Sequence, residues 1–152
     1  MEGPIPVTEI RRLSVQDIAT IANIEQLTNP SPWTVAQFRA ELENPASRFD
    51  LLIADGRIAA FICAWIVADE MQIQDVATAP AEQRRGYAAQ LLDHALLNAR
   101  NEGVAKVFLE VRKGNFPARQ LYLKFGFSIT GVRPRYYSDN EDALLMLLDF
   151  DQ

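Results

Sequence analysis

The chain has little of several residue types on which whole classes of function depend. Its 152 residues include one cysteine and one histidine. A single cysteine, Cys63, excludes an internal disulfide and a cysteine-based metal cluster. His94 is predicted to lie on the solvated flank of a helix, and Cys63 is predicted to be a buried, inert thiol in an apolar strand. No base partner for a nucleophilic cysteine is apparent, so neither an acyl-cysteine mechanism nor a metal site is expected.

Long apolar runs and an excess of basic residues are also missing. The longest uninterrupted apolar run extends from Ile58 to Ala68, which is shorter than the roughly 20 residues of a membrane helix. The first residues, Met1-Glu2-Gly3-Pro4, have neither the basic start nor the apolar stretch of a signal peptide. A cytoplasmic protein without membrane contact is therefore expected. The net charge of −5 argues against nonspecific binding to nucleic acid and suits a cationic substrate.

The composition is that of an ordinary globular protein. Apolar residues make up 49% of the chain and charged residues 23%, which excludes wholesale disorder. The length fits one domain. We expect a flexible segment at residues 1–6 and a single domain at 7–150, with no repeat and no internal linker.

The spacing of apolar residues predicts the element order β-α-α-β-β-β-α-β-α-β-β. Strands are expected at residues 7–12, 50–54, 57–67, 71–78, 106–111, 128–136 and 143–149. Helices are expected at 15–27, 35–43, 86–102 and 117–125. Asp55-Gly56 predicts a tight turn between the second and third strands. The third helix carries an apolar stripe that should pack on the sheet: Ala88, Leu91, Leu92, Ala95, Leu96 and Ala99.

The most informative segment joins the fourth strand to the third helix. It contains Arg84 and Arg85 followed by Gly86, directly before the helix. A helix N-terminus presents unpaired N–H groups and the positive end of the helix dipole, so an anion is its natural occupant. Gly86 allows a close approach of the backbone. The segment predicts phosphate binding; a bound carboxylate, or no ligand, is the alternative.

The pattern Gln83-x-x-Gly86-x-Ala88 resembles the acetyl-coenzyme A pyrophosphate loop of the GNAT family of N-acetyltransferases. Ala88 stands where a second glycine is often found, and Lys113-Gly114 also differs from the commonest family spacer. The second half of the family pattern is matched in order by Leu109-Glu110-Val111-Arg112, Asn115, Ala118 to Tyr122 and Phe125-Gly126-Phe127. The resemblance covers nearly the whole chain and is weakest before about Ile53. It implies an α/β fold with one mixed, mostly antiparallel central sheet and helices on both faces.

The resemblance also implies a set of cofactor-binding residues for acetyl-coenzyme A. Backbone groups would bind the pyrophosphate and the pantetheine arm, with Gln83 and Asn115 as further contacts. The residues are Val76, Ala77, Gln83, Arg84, Arg85, Gly86, Tyr87, Ala88, Ala89, Asn115 and Tyr122. From the residues alone, Asn115 is equally a loop or helix-cap residue.

Glu110 is the candidate general base. The strand at 106–111 alternates, so Val107, Leu109 and Val111 share one face while Phe108 and Glu110 lie on the other. An amine nucleophile must lose a proton, and a carboxylate can receive it. By resemblance, Glu110 occupies the position of the base. The alternative is a solvent-facing or edge-strand glutamate paired with Arg112.

Tyr122 is the candidate general acid. By resemblance it protonates the thiolate of coenzyme A as the thiolate departs. The alternative is that Leu121, Tyr122 and Phe125 form the apolar face of a short helix, with the hydroxyl in surface water.

By resemblance, three aromatic residues are candidates for contact with the peptide substrate, because they match loops that flank the peptide entrance in this family: Trp33, Tyr136 and Tyr137. Trp33 is equally a packing residue at a helix start. Tyr136 and Tyr137 are expected at the end of a strand, where neighbouring side chains point to opposite faces. The acidic run of Asp139, Glu141 and Asp142 is either an attractor for a protonated N-terminus or a solvated turn.

The tail at residues 135–146 is similar to the branch of the family that acetylates protein N-termini. Within that branch the chain resembles the bacterial enzymes that acetylate the N-terminal alanine of the eighteenth small-subunit ribosomal protein. The implied function is an acyltransferase that uses acetyl-coenzyme A, acts by direct attack and is a monomer or weak dimer. One rival is an enzyme of the same fold that acetylates a small amine or a lysine. Another is a non-catalytic module that binds acetyl-coenzyme A.

Overall fold

The computed structural model describes residues 4–151, and within that range the chain forms seven strands and four α-helices. The strands are β1 (Thr8–Arg12), β2 (Ser47–Ala54), β3 (Arg57–Val67), β4 (Glu70–Thr78), β5 (Lys106–Arg112), β6 (Ser128–Arg133) and β7 (Ala143–Asp149). The helices are α1 (Ile18–Thr28), α2 (Val35–Glu41), α3 (Tyr87–Asn101) and α4 (Phe116–Lys124). Two 3-10 turns, Val15–Asp17 and Pro80–Glu82, precede α1 and α3. The predicted element order is confirmed.

The strands form one mixed sheet in the order β1-β2-β3-β4-β5-β7-β6. The pairs β1–β2, β5–β7 and β6–β7 are antiparallel, whereas β4 and β5 are parallel. The parallel ladder extends from Glu70 opposite Lys106 to Ile73 opposite Leu109. The predicted α/β class, with one mixed and mostly antiparallel sheet, is therefore confirmed.

The chain divides into two compact units. The first unit comprises Met1–Cys63 with Asp75–His94, and the second comprises Ala64–Gln74 with Ala95–Gln152. Among the described residues of the first unit, three phenylalanines form an aromatic cluster with ring centroids 5.5–6.0 Å apart: Phe38, Phe49 and Phe61. In the second unit, the buried face of β5 meets β7 through the cross-strand pairs Leu109–Met146 and Val111–Leu144. This buried face confirms the predicted alternation of β5.

The turn between β2 and β3 has the predicted geometry. Asp55 has φ +48° and Gly56 has φ +80°, and two consecutive residues of positive φ are the requirement of a type I′ hairpin turn. The stripe of α3 is also confirmed, since Leu91, Leu92, Ala95, Leu96 and Ala99 are buried, although Ala88 is only half-buried.

Three boundaries differ from the prediction by three residues, and one of them is the start of β2, which lies at Ser47 rather than at residue 50. The first helical segment begins as a 3-10 turn, because the Asp17 carboxylate accepts hydrogen bonds from the backbone and hydroxyl of Ser14 and from Arg11. Strand β6 ends at Arg133 rather than at residue 136, since Pro134 has no N–H to donate and Arg135 has φ +53°. Of the segment predicted to be flexible, residues 1–3 lie outside the described range.

No helix within residues 4–151 is both long and apolar enough to cross a membrane.

Candidate active site

The loop before α3 presents backbone donors, as the sequence predicts. The first backbone hydrogen bond of the helix joins the Gln90 N–H to the Gly86 carbonyl over 3.1 Å. The N–H groups of Tyr87, Ala88 and Ala89 therefore precede the helical hydrogen-bond ladder. Gly86 has φ +79°, and a Cβ built there meets no atom within 4 Å. Glycine is thus required by the backbone conformation and not by a neighbouring protein group.

The polar side chains of this loop have separate roles. Gln83 donates through Nε2 to the Thr78 carbonyl at 3.4 Å, which braces the loop against the end of β4. The buried carboxylate of Glu82 accepts from Arg85 at 3.2 Å and from Arg57 at 3.0 Å. The spacing Glu82-x-x-Arg85 in the sequence is typical of such an ion pair, but the pair between Glu82 and Arg85 was not predicted.

Arg84 is the cation that the loop leaves facing water. It is exposed, has φ +67° and makes no ion pair among residues 4–151. Tyr87 is buried, so it offers the loop only its backbone N–H. Three N–H groups outside the helical ladder, the positive end of the helix dipole and an unneutralised guanidinium are together suited to a phosphate or pyrophosphate.

The two β4 residues assigned to the cofactor arm lie beyond the parallel ladder with β5, which ends at Ile73. Ala77 is buried and Val76 is half-buried. Their side chains are therefore largely used in packing, and any contact with a ligand would be through the backbone.

Glu110 lies on β5, and the edge-strand alternative for it is wrong. Strand β5 lies between β4 and β7 and is therefore not an edge strand. Its carboxylate pairs with Arg133 at 3.6 Å. The Glu110 side chain is 28% exposed. A hydrogen bond donated by the Tyr136 hydroxyl to Glu110 is the main reason that the pKa of Tyr136 is raised. The carboxylate is therefore partly open to solvent and held by a cation and a phenol.

Tyr122 lies on α4 and is buried, with its ring edge-on to Phe127 at a centroid distance of 5.7 Å. The ring therefore packs within the protein, and the role of Tyr122 as general acid stays a prediction. Asn115 caps the same helix, since its side-chain oxygen accepts from the Ala118 N–H at 3.3 Å. The capping interpretation of Asn115 is therefore confirmed, and its contact with a cofactor stays a prediction.

Tyr136 and Tyr137 lie in the loop after β6, so their predicted placement on opposite faces of a strand is wrong. Their rings contact each other edge-on at 5.1 Å. The Arg112 guanidinium lies 3.9 Å from the centroid of Tyr137, and burial is the main cause that raises the pKa of Tyr137 to about 12. Tyr136 is 47% exposed. Tyr137 thus packs within the loop, whereas Tyr136 has surface available for a ligand.

The acidic run after these tyrosines is not a simple solvated turn, because its carboxylates have partners within the protein. Arg112 binds Asp139 at 2.9 Å and Glu141 at 3.0 Å, which lowers the pKa of Asp139. Glu141 also accepts from the Gly114 N–H at 2.8 Å, and Asp142 accepts from the Arg135 N–H at 3.0 Å. These carboxylates fix the conformation of the loop that carries the two tyrosines.

Trp33 lies directly before the N-cap of α2 and packs on Phe38, with the ring centroids 5.4 Å apart. These positions are N′ and N4 of the helix, so the pair forms a hydrophobic staple. The packing interpretation of Trp33 is confirmed, and a contact with substrate stays a prediction. The ring is partly exposed.

Cys63 is fully buried, and its thiol donates to Glu41 at 3.2 Å. Burial and Glu41 raise the pKa of the thiol, so it is inert as predicted. His94 is less solvated than predicted, because its Nε2 lies 3.8 Å from a carboxylate oxygen of Asp50. Within residues 4–151, no group of three or more His, Cys, Asp and Glu side chains is arranged to hold a metal ion.

Comparison with known proteins identifies relatives along almost the whole chain. The ribosomal protein bS18-alanine N-acetyltransferase of Salmonella typhimurium is 36% identical over 141 residues, which cover 90% of this chain and 93% of that protein. The crystal structure of the ribosomal-protein-S18-alanine N-acetyltransferase from Escherichia coli superposes with a TM-score of 0.88 at 32% identity, covering 94% of each chain.

A more distant structure shares the fold alone. It is the PaiA N-acetyltransferase of Thermoplasma acidophilum in complex with coenzyme A, with a TM-score of 0.78 and 18% identity, covering 95% of this chain and 99% of that one. The model of the acetyltransferase (GNAT) family matches residues 18–127. The chain belongs to the acetyltransferase (GNAT) family.

Proposed function

We propose that this protein is an N-α-acetyltransferase that transfers the acetyl group of acetyl-coenzyme A to the N-terminal alanine of ribosomal protein bS18. The similarity to enzymes named for that reaction supports the substrate. The observation that carries the chemistry is the Glu110 carboxylate, which is partly exposed and held by Arg133 and Tyr136.

The donors before α3 would hold the phosphates of the cofactor. Tyr87, Ala88 and Ala89 offer backbone N–H groups, and Arg84 offers a guanidinium that no carboxylate neutralises within residues 4–151. Arg85 acts indirectly, because its pairing with Glu82 fixes the loop. When bound, acetyl-coenzyme A supplies an acetyl group activated as a thioester.

Two side chains would accept and donate the protons that move during acetyl transfer. Glu110 accepts the proton that the amine loses as the amide bond forms. Tyr122 donates its phenolic proton to the thiolate sulfur as the carbon–sulfur bond breaks. Proton acceptor and proton donor are thus different residues on β5 and α4.

The exposed ring of Tyr136 and the partly exposed ring of Trp33 are proposed to contact the peptide, with Tyr137 as packing support. The enzyme is proposed to act in the cytoplasm, because its proposed substrate is a ribosomal protein. The enzyme is proposed to act as a monomer or weak dimer, without binding nucleic acid directly.

The function is tested by incubating the protein with acetyl-coenzyme A and three acceptors, with the products measured by mass spectrometry. The acceptors are a peptide with the bS18 N-terminus, the same peptide blocked at its α-amine but containing lysine, and a small polyamine. We expect acetylation of the free alanine peptide alone. Acetylation of only the lysine peptide or polyamine would favour the rival enzyme, and cofactor binding without any transfer would favour the binding module.

The loop geometry leads to a prediction for Gly86→Val. An L side chain at φ +79° strains the backbone by about 1–2 kcal/mol, and the new branches extend into the open space in which phosphates would bind. We expect weaker binding of acetyl-coenzyme A by calorimetry, together with a modest loss of thermal stability.

Gly56→Val is a matched control for this prediction. Gly56 has φ +80° and the same open surroundings, but it lies in the turn between β2 and β3. It should lose comparable stability and bind the cofactor as the parent does. Equal binding by the parent and both variants would place the phosphate site elsewhere.

A further inference from the structure

Glu25 is a fully buried carboxylate that the proposed chemistry does not use. It lies on the apolar face of α1 together with Ile18, Ile21 and Ala22. Its Oε2 accepts the backbone N–H of Trp33 at 3.0 Å and the side-chain amide of Asn29 at 3.2 Å. Its other oxygen, Oε1, is buried and has no hydrogen-bond partner within residues 4–151.

Asp75 on β4 has a matching oxygen. Its Oδ2 is likewise buried and has no hydrogen-bond partner in the described part of the chain. Burial is the main cause that raises the pKa of Asp75 well above its usual value, and the neighbouring Glu25 side chain is the next. Two carboxylates cannot hydrogen-bond unless one carries a proton. A proton on Asp75 would let it donate to Glu25 and would give both buried oxygens a partner.

Such a pair would carry one negative charge in total. Two donors converge on Oε2 of the Glu25 carboxylate: the Trp33 N–H and the Asn29 amide. The Asn29 side chain also accepts from the Ser31 N–H at 2.9 Å. Thus Glu25 and Asn29 fix the backbone between α1 and α2 at both Ser31 and Trp33.

We propose that Glu25 and Asp75 form a carboxyl pair sharing one proton, and that this pair positions the loop at residues 29–34 for the peptide substrate. The proposal rests on the proposed function in assigning Trp33 to the peptide. Glu25 is thus a positioning residue, since it acts through the backbone of Trp33.

The surroundings of the pair determine the sign of its pH dependence. Beside Glu25 of α1, Asp75 faces the thiol of Cys63 on β3, which in turn donates to Glu41 of α2. Because the folded pKa of Asp75 is raised, the native state binds more protons than the unfolded chain above the usual aspartate range. The stability that the pair contributes is present at low pH and is lost as the pH rises through the folded pKa.

The first experiment compares Glu25→Ala, Glu25→Gln and Asp75→Asn with the control Glu41→Gln, which alters another buried carboxylate of the same unit. Glu25→Ala should raise KM for the alanine peptide about tenfold or more, because a hydrogen bond to a charged group is lost at Trp33. The dissociation constant for acetyl-coenzyme A should stay unchanged. Glu25→Gln, in which a neutral oxygen accepts from Trp33, should give a smaller increase and serves if the alanine variant does not fold.

Asp75→Asn should preserve the position of the loop at residues 29–34, because the asparagine amide can donate a hydrogen bond to Glu25 as a protonated aspartate would. Peptide KM should stay within about twofold of the parent, and the fall in unfolding free energy with rising pH should flatten. Equal increases in KM for folded Glu25→Ala and Glu41→Gln, or an unchanged KM in Glu25→Ala, would overturn the positioning role.

Two measurements are independent of acetyl transfer. The infrared carbonyl band of a protonated carboxyl should be present in the parent at neutral pH and absent from Asp75→Asn. Hydrogen exchange at the Trp33 amide should accelerate in Glu25→Ala and not in Glu41→Gln. If the parent acetylates no peptide, the proposed function fails, whereas absence of the band or unaltered exchange would overturn the carboxyl pair itself.

Discussion

Glu110→Gln is expected to lower the rate of acetyl transfer at neutral pH by about 10²–10⁴, the usual contribution of a positioned general base. The amide keeps an oxygen that can accept the hydrogen bond from Tyr136. The ion pair with Arg133 is lost, but Arg133 is 55% exposed, so the cost in stability should be small. Structure and cofactor binding should therefore survive while turnover falls.

The defect of Glu110→Gln should shrink as the pH rises. A protein α-amine has a pKa of about 7.7–8.0, so above that range less of the substrate needs a base. Steady-state rates across this range, with calorimetric binding of acetyl-coenzyme A, test the expectation. Glu70→Gln, on the exposed start of β4, is the control for loss of a carboxylate. Parental rates for Glu110→Gln would leave Glu110 with only a structural role.

Tyr122→Phe is expected to have an effect of similar size, about 10²–10⁴ in turnover. The substitution removes only the hydroxyl, so the buried ring can keep its edge contact with Phe127. Both substrates should still bind, because Tyr122 would act on the departing thiolate and not on the amine.

A thioester with a more acidic thiol distinguishes the possible roles of Tyr122. Such a thiolate needs less protonation, so the second thioester should restore much of the rate of the variant. The same defect with both thioesters would make Tyr122 a positioning residue. Full activity with acetyl-coenzyme A itself would show that the ring only packs.

The fold was largely predictable because its local signals agree. Asp55-Gly56 requires a type I′ turn, the α3 stripe has helical spacing, and β5 alternates between buried and half-buried residues. The end of β6 was missed although Pro134 marks it. A strand pattern in the sequence does not show where the backbone adopts φ +53°, as it does at Arg135.

The candidate site was less predictable, because its polar groups find partners far away in the sequence. Arg112 pairs with Asp139 and Glu141, and no periodicity indicates that choice. Glu25 did carry a signal, since it shares the buried face of α1 with Ile18 and Ile21. A charged residue at a core position requires a partner, but the sequence does not identify that partner as Asp75.

The burial of Cys63 has a practical use. The chain has one thiol, and it is fully enclosed in β3 with its proton held by Glu41. A thiol reagent can modify it only in molecules that have opened, so the labelling rate reports the population of open states. The native protein thus contains a single-site probe for opening around β3, without an engineered cysteine.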